Sequence, residues 1–281
     1  TFRYYTDNDA AIPHMQDVQI AFVPSDGRSP DLVKAAPGLQ WFASYYAGVD
    51  PLIRTQVLSK DTVLTNGSGA YGVTIAEHMV MVTLMMLRRY PEYYDFVQTK
   101  QFRSDLMIGS LYGATIVICG TGDIGSNFAR RLRAFCPKKI IGVNRSGKCP
   151  ADFDEVVKIG DIESVLPRAD VLALTLPGTA ETNNLISAER IAMLKQGSFI
   201  VNVGRGNSVD EASLIEALST GRISGAYLDV VKDEPISSFR SIGSAGRIEV
   251  PANLVLMPHS SAFAPEYLRL CFKELKDEKL I

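Results

Sequence analysis

Between residues 111 and 257 the chain repeats one pattern: a short apolar, β-branched run, a stretch of helical periodicity, then another such run. The strand-like runs fall at 114–119, 140–143, 171–176, 199–203, 223–230 and 254–257, with helical stretches at 124–135, 162–166, 188–194 and 211–218 between them. Runs without a polar face suit strands buried on both sides. A helical crossover between such strands returns the chain to the same end of the sheet, so they run parallel, with right-handed connections. The sequence therefore predicts an α/β fold: parallel sheets flanked by helices.

Upstream the elements are shorter. Residues 17–24, 39–45 and 62–65 read as strands, and 31–36 as a helix with Pro30 near its start. A small α/β domain is expected there. Residues 74–87, with a possible continuation past Pro91, read as a long helix apolar on more than one face (Ile75, Ala76, Met79, Val80, Val82, Leu84, Met85, Leu87). Such a helix is buried inside the protein or against a partner subunit. An amphipathic helix is expected over 265–276.

Composition narrows the function classes. With 46% apolar residues and a net charge of −2, nothing points to nucleic acid or an anionic membrane as partner. The longest apolar run, around 79–87, is too short to span a bilayer, and no N-terminal stretch looks like a signal peptide. Cys119, Cys136, Cys149 and Cys271 have no paired spacing, so reduced thiols in a cytoplasmic protein are expected, with no metal site.

The run Gly120-Thr121-Gly122-Asp123-Ile124-Gly125 follows one expected strand and opens a helix with Ile124, Phe128, Ala129 and Leu132 inward. In that context the glycine spacing is a dinucleotide signature. Gly120 permits the turn, Gly122 the approach of the pyrophosphate, and Gly125 close helix–strand packing, while the helix N-terminus offers free N–H groups. NAD-binding proteins carry an acid at the end of the next strand. Here that place reads Asn144-Arg145-Ser146-Gly147-Lys148. A cation with flanking donors suits a 2′-phosphate, so Asn144, Arg145 and Ser146 point to NADP, with NAD the alternative.

Three further residues follow expected strands: Arg205, Glu234 and His259. Ligands of open α/β sheets bind at the carboxyl ends of the strands. An imidazole titrates near working pH and can hand a proton to a carbonyl oxygen. A carboxylate on its other nitrogen fixes the tautomer, and a guanidinium can hold a carboxylate and polarise a keto oxygen. The trio suits hydride transfer to a 2-keto acid. His14 and His78 carry no expected site role.

Over essentially its whole length the chain resembles the D-isomer-specific 2-hydroxyacid dehydrogenases. The resemblance rests on Ala47-Gly48-Val49-Asp50, on residues 72–78, on the Gly120–Gly125 turn, and on Leu176-Pro177 with Thr182. It continues through residues 202–215, Asp229, Glu234-Pro235 and Pro258-His259. It implies two Rossmann-like domains with the active site in the cleft between them. The substrate domain would be discontinuous and flavodoxin-like (1–73 and 263–281), and the dinucleotide-binding domain would span 74–262. It matches Arg205, Glu234 and His259 to the family's catalytic arginine, glutamate and histidine, and Ala47 and Gly48 to the loop that receives the substrate carboxylate. Gly120, Gly122, Asp123, Ile124, Gly125, Leu176, Pro177, Thr182, Val203, Gly204 and Asp229 fall to the cofactor, Asp229 near the nicotinamide amide. The helix starting near Thr74 would form a homodimer interface. The implied activity is a 2-keto acid reductase of glyoxylate/hydroxypyruvate type. Alternatives are an NAD-linked phosphoglycerate or lactate dehydrogenase and a dinucleotide-sensing corepressor. Glu234 in place of glutamine disfavours a formate dehydrogenase.

There are departures. Relatives usually carry a strand and helix ahead of Thr1-Phe2-Arg3 and continue past Lys276, so a truncated chain is expected. Ser260-Ser261-Ala262 stands where many relatives have Thr or Ile and then Gly, and Tyr45-Tyr46 are bulky beside the substrate loop.

Overall fold

The computed structural model describes residues 2–234, 251–265, 269–271 and 273. The helix expected over 265–276 lies for the most part outside them. The chain divides into two compact units, Thr1–Tyr71 with Ala264–Ile281, and Gly72–Phe263.

The smaller unit holds a three-stranded parallel sheet: β1 (Ile20–Val23), β2 (Trp41–Ser44) and β3 (Val63–Thr65), in that order. The helices α1 (Asn8–Ala11), α2 (Ser29–Ala35) and α3 (Asp50–Thr55) accompany it. Asp7 caps α1 by accepting from the Ala10 N–H at 2.8 Å, satisfying one of the free donors of its first turn. Leu32, Phe42, Leu52, Ala11 and Met15 form its core. Helices α1 and α3 are too short to show a helical period in the sequence.

The larger unit begins with α4 (Gly72–Leu87) and α5 (Tyr90–Gln98). The long helix does not run on past Pro91. It ends at Leu87, Arg89 adopts a left-handed φ of 54°, and Pro91 lies in the first turn of α5. Proline has no N–H for the carbonyl four residues back, and the Leu87 carbonyl accepts from the Gly109 N–H instead. Helix α4 is buried along Ile75, Ala76, Met79, Val82 and Met86 within its own unit, while Val73 and Met81 stay exposed.

Seven parallel strands follow: β4 (Thr115–Cys119), β5 (Lys139–Asn144), β6 (Glu155–Lys158), β7 (Val171–Leu174), β8 (Ser198–Asn202), β9 (Ile223–Leu228) and β10 (Leu254–Leu256), ordered β10-β9-β8-β7-β4-β5-β6. The helices between them include α6 (Asp123–Leu132), α7 (Ala188–Met193) and α8 (Glu211–Ser219). Central β4, β7 and β8 are buried at every residue, which is why their sequences are continuous apolar runs. Edge strand β6 (Glu-Val-Val-Lys) is half exposed and charged at both ends, a pattern the sequence reading passed over. Chain order reverses between β4 and β7, the switch point at which such sheets bind ligands. Among the described residues no helix is long and apolar enough to cross a membrane.

Helix α6 sits very close to β4. A Cβ on Gly125 would lie 1.9 Å from the Gly120 carbonyl oxygen. Gly125→Ala is expected to push α6 off the sheet at a cost of about 1–3 kcal/mol. Urea unfolding would show this as a lower midpoint at unchanged slope; an unchanged midpoint would mean the two backbones are not in close contact.

Candidate active site

Strand β4 runs into Gly120, whose φ of +106° suits only glycine, and α6 starts three residues later. The turn is tied across the switch point: Thr175, just past β7, donates through Oγ1 to the Cys119 and Gly120 carbonyls at 3.1 Å each. Gly122 differs from its neighbours. Its φ of −78° suits any residue, and a Cβ there would meet no atom within 4 Å. Neither backbone conformation nor protein packing calls for glycine at that place. Open space above an exposed backbone at a helix N-terminus is what an approaching pyrophosphate needs, so the turn fits a dinucleotide. The Asp123 side chain accepts from Asn127 Nδ2 at 2.8 Å and from the Gly72 N–H; burial nonetheless pushes its carboxyl above the usual carboxylate range. Ile124 follows it, half-buried in the first turn of α6.

At the end of β5, Asn144 is committed to its own loop. Its Nδ2 donates to Thr121 Oγ1 and the Lys148 carbonyl, both at 2.8 Å, and its Oδ1 accepts from the Gly147 N–H at 2.6 Å. Asn144 thus shapes the loop, and its amide is not turned outward. Ser146 accepts from the Lys148 N–H at 3.2 Å. Arg145 reaches across to Glu181 at 3.0 Å in a well-exposed pair. Thr182 is buried and donates to the Pro177 carbonyl at 2.6 Å, which holds the loop that starts at Leu176 and Pro177.

The three expected catalytic residues follow β8, β9 and β10. After β8, buried Val203 and Gly204 lead into Arg205. Asn202 is fully buried, accepts from the Gly204 N–H at 3.0 Å and donates to the Arg205 carbonyl at 3.0 Å, while Ser208 Oγ donates to that same carbonyl at 2.7 Å. This fixes the backbone from which the guanidinium projects. After β9 come Asp229, 1% exposed, and Glu234. After β10, His259 adopts a left-handed φ of 54°. Its Nδ1 lies 2.8 Å from Glu234 Oε2. That hydrogen bond is the main reason the imidazole is held above its ordinary pKa, opposed by burial and by the charge of Arg205. Burial would raise the Glu234 carboxyl. The His259 bond, the Val231 N–H at 3.0 Å and the Arg205 charge outweigh it and hold the group below its usual value. The pair therefore carries a charged imidazolium over a wider pH range than a free histidine, within the field of a guanidinium. Among the described residues no cluster of His, Cys, Asp and Glu suits a metal ion.

A family model described as "D-isomer specific 2-hydroxyacid dehydrogenase, NAD binding domain" matches residues 80–261. The chain belongs to the D-isomer-specific 2-hydroxyacid dehydrogenases. It is an oxidoreductase that acts on CH–OH donors with a nicotinamide dinucleotide. A glycerate dehydrogenase of Methylorubrum extorquens is 28% identical over 95% of this chain and 83% of its own length. A family protein from Aeromonas salmonicida superposes with a TM-score of 0.84 at 31% identity, covering 98% of this chain and 85% of that one. An NADPH-dependent glyoxylate/hydroxypyruvate reductase from Sinorhizobium meliloti, in complex with NADP and sulfate, superposes at 0.79 with 28% identity, covering 94% and 81%.

In the smaller unit, Ala47 and Gly48 follow β2. The Ala47 carbonyl accepts from Asn66 Nδ2 at 2.7 Å and the Tyr46 carbonyl from the Gly67 N–H at 3.1 Å, so the loop is pinned to the chain after β3. Tyr45 and Tyr46 meet edge to face, with ring centroids 5.3 Å apart.

Sequence reasoning did not single out Asn202, Ser208 or Tyr227. Asn202 had a legible signal: a lone amide closing a β-branched run, where a buried polar group needs a backbone partner. A ring titration of His259 by NMR is expected to show a pKa above the ordinary histidine value, and Glu234→Gln to bring it down. Identical titrations in the two proteins would show that the pair does not form in solution.

Proposed function

We propose that the protein reduces a small 2-keto acid to its D-2-hydroxy acid and prefers NADPH. The observation that carries the reaction is the His259–Glu234 pair at 2.8 Å, with the Arg205 charge acting on both members, at strand ends of the sheet that bears the dinucleotide turn. A bound nicotinamide supplies the hydride for the keto carbon. His259, kept protonated by Glu234, gives its proton to the carbonyl oxygen, and Glu234 stabilises the imidazolium without taking that proton. Arg205 binds the substrate carboxylate and the oxygen on which charge develops. Gly120, Gly122 and Gly125, with Asp123 and Ile124 opening α6, are assigned to the pyrophosphate side. Leu176, Pro177, Thr182, Val203, Gly204 and Asp229 border the cofactor, and Ala47 and Gly48 are assigned to the substrate carboxylate. Residues 72–263 would then be the dinucleotide-binding domain and the smaller unit the substrate domain.

The NADPH preference rests on Arg145 and Ser146, with Asn144 shaping their loop, and on the absence of a carboxylate at the end of β5. The Sinorhizobium reductase, NADPH-dependent by name, agrees with it. The Arg145–Glu181 pair is no obstacle, since an exposed pair is worth about 0–1 kcal/mol and a phosphate carries more charge than a carboxylate. A homodimer through α4 and α5 accords with the exposed Val73, Met81, Tyr90, Tyr94 and Val97. A reducing, cytoplasmic setting accords with the free Cys119, Cys136 and Cys149.

Turnover of a panel of small 2-keto acids with each cofactor tests the reading, and Arg145→Asp tests its cofactor half. NADPH affinity is expected to fall about tenfold or more, the equivalent of losing one charged hydrogen bond of roughly 1.5–3 kcal/mol, while NADH changes little. Equal effects on both cofactors would remove the case for NADPH, and cofactor binding without turnover of any keto acid would favour a sensor.

A further inference from the structure

Asp229 does more than border a cofactor site. Its carboxylate is buried, and among the described residues no lysine, arginine or histidine forms an ion pair with it. A buried charge without a cation persists only where enough donors surround it. Four do. Oδ1 takes the Ser260 N–H at 2.9 Å and the Tyr227 hydroxyl at 3.4 Å; Oδ2 takes the Ser261 N–H at 3.2 Å and the Ser261 hydroxyl at 2.5 Å. The Asp229 backbone carbonyl accepts from the His259 N–H at 2.8 Å. One residue therefore receives the backbone N–H of 259, 260 and 261 in succession. It wraps the loop that leaves β10 around itself at the point where His259 takes a left-handed φ. A non-glycine residue in that conformation persists only when its surroundings over-determine it.

Two of the four donors are side-chain hydroxyls, and both belong to residues outside the catalytic trio. Tyr227 is buried at 1% exposure, two residues before Asp229 on β9. Behind it, His78 Nε2 on α4 lies 2.5 Å from the phenolic oxygen. With the phenol proton given to Asp229, His78 presents its own Nε2–H to that oxygen. Burial keeps this imidazole below its ordinary pKa. The chain of donors thus runs His78 to Tyr227 to Asp229, and Ser261 closes it from the other side.

We propose that Tyr227 and Ser261 are positioning residues of the hydride-transfer site: their hydroxyls clamp the Asp229 carboxylate, which holds the 259–261 turn so that His259 Nδ1 faces Glu234. This rests on the reading of His259 as the proton donor. The groups that set its titration are Glu234, Arg205 and Asp229, and the clamp decides whether the imidazole keeps its distance from the first of them. Loss of either hydroxyl lets the turn drift, which lengthens the Glu234 bond and costs catalysis more than binding, since a small misplacement of a reacting group is costly while the substrate's own contacts remain.

The test is steady-state reduction of the best 2-keto acid by the full chain, with Ser261→Ala, Tyr227→Phe and the double variant, across pH. Each substitution removes a hydroxyl and leaves the carbon frame. The clamp predicts a fall in kcat of about tenfold for Ser261→Ala and a smaller one for Tyr227→Phe. KM for the keto acid and NADPH affinity should stay within about twofold, and the upper pH limb should move toward acid. Because both hydroxyls serve one carboxylate, the double variant should fall short of the product of the single effects. Thermal unfolding beside the kinetics separates a structural role: a lower Tm with unchanged kcat and an unmoved pH limb overturns the proposal. If the wild-type chain reduces 2-keto acids with an upper pH limb and the variants match it, only the clamp fails. If the wild-type chain reduces none, the reading of His259 fails and the clamp with it.

Discussion

An all-parallel sheet delivers the carboxyl end of every strand to the same edge, and the functional chemistry of the larger unit depends on that constraint. The ends of β4 and β7 at the switch point are tied by Thr175 and present the glycine turn. The ends of β8, β9 and β10 are adjacent in the sheet and lead into Arg205, Asp229 with Glu234, and His259. Residues 205 and 259 are far apart in sequence, yet strand order alone brings their loops to one edge. Helical crossovers make the strands parallel, and burial on both faces makes them apolar. The polar residues are thereby displaced to the ends, where a ligand can reach them.

That displacement made much of the molecule legible in the sequence. The central strands stood out because a run such as Thr115-Ile-Val-Ile-Cys has no polar face, and the helices because Phe128, Ala129 and Leu132 recur at helical spacing. Arg205, Glu234 and His259 were visible as charged or titratable residues just after such runs. What stayed hidden is what depends on tertiary context. Strand β6 is short, half exposed and bounded by charges, so its pairing with β5 leaves no pattern of its own. The break between α4 and α5 was marked by Pro91, but its place was set by which donor the Leu87 carbonyl finds. Asn144 looked like a donor for a ligand because nothing local reveals that its amide is used by Thr121 and Lys148. Tyr227 reads as one more residue of an apolar strand, and only the packing of α4 against β9 shows that its hydroxyl lies between His78 and Asp229.

The electrostatics of the edge separate two carboxylates. Glu234 is bonded to His259 and under the influence of Arg205, so its charge favours the protonated imidazole. Asp229 is buried among neutral donors and spends its charge on geometry, collecting the N–H groups that shape the turn carrying that imidazole. Charge placed by a cation and charge placed by a donor shell answer differently to substitution. Removing a partner changes the titration of the first and the shape of the second.

Replacing His259 tests the central claim most directly, because in the proposed function proton donation from that side chain is what would turn a dinucleotide-binding sheet into a reductase. Steady-state reduction of the preferred 2-keto acid by His259→Ala, beside direct measurement of cofactor affinity, is the experiment. The account predicts a kcat lower by about 10²–10⁴ with cofactor affinity nearly unchanged. A kcat within about threefold of the wild-type value, far less than a positioned general acid contributes, would contradict it.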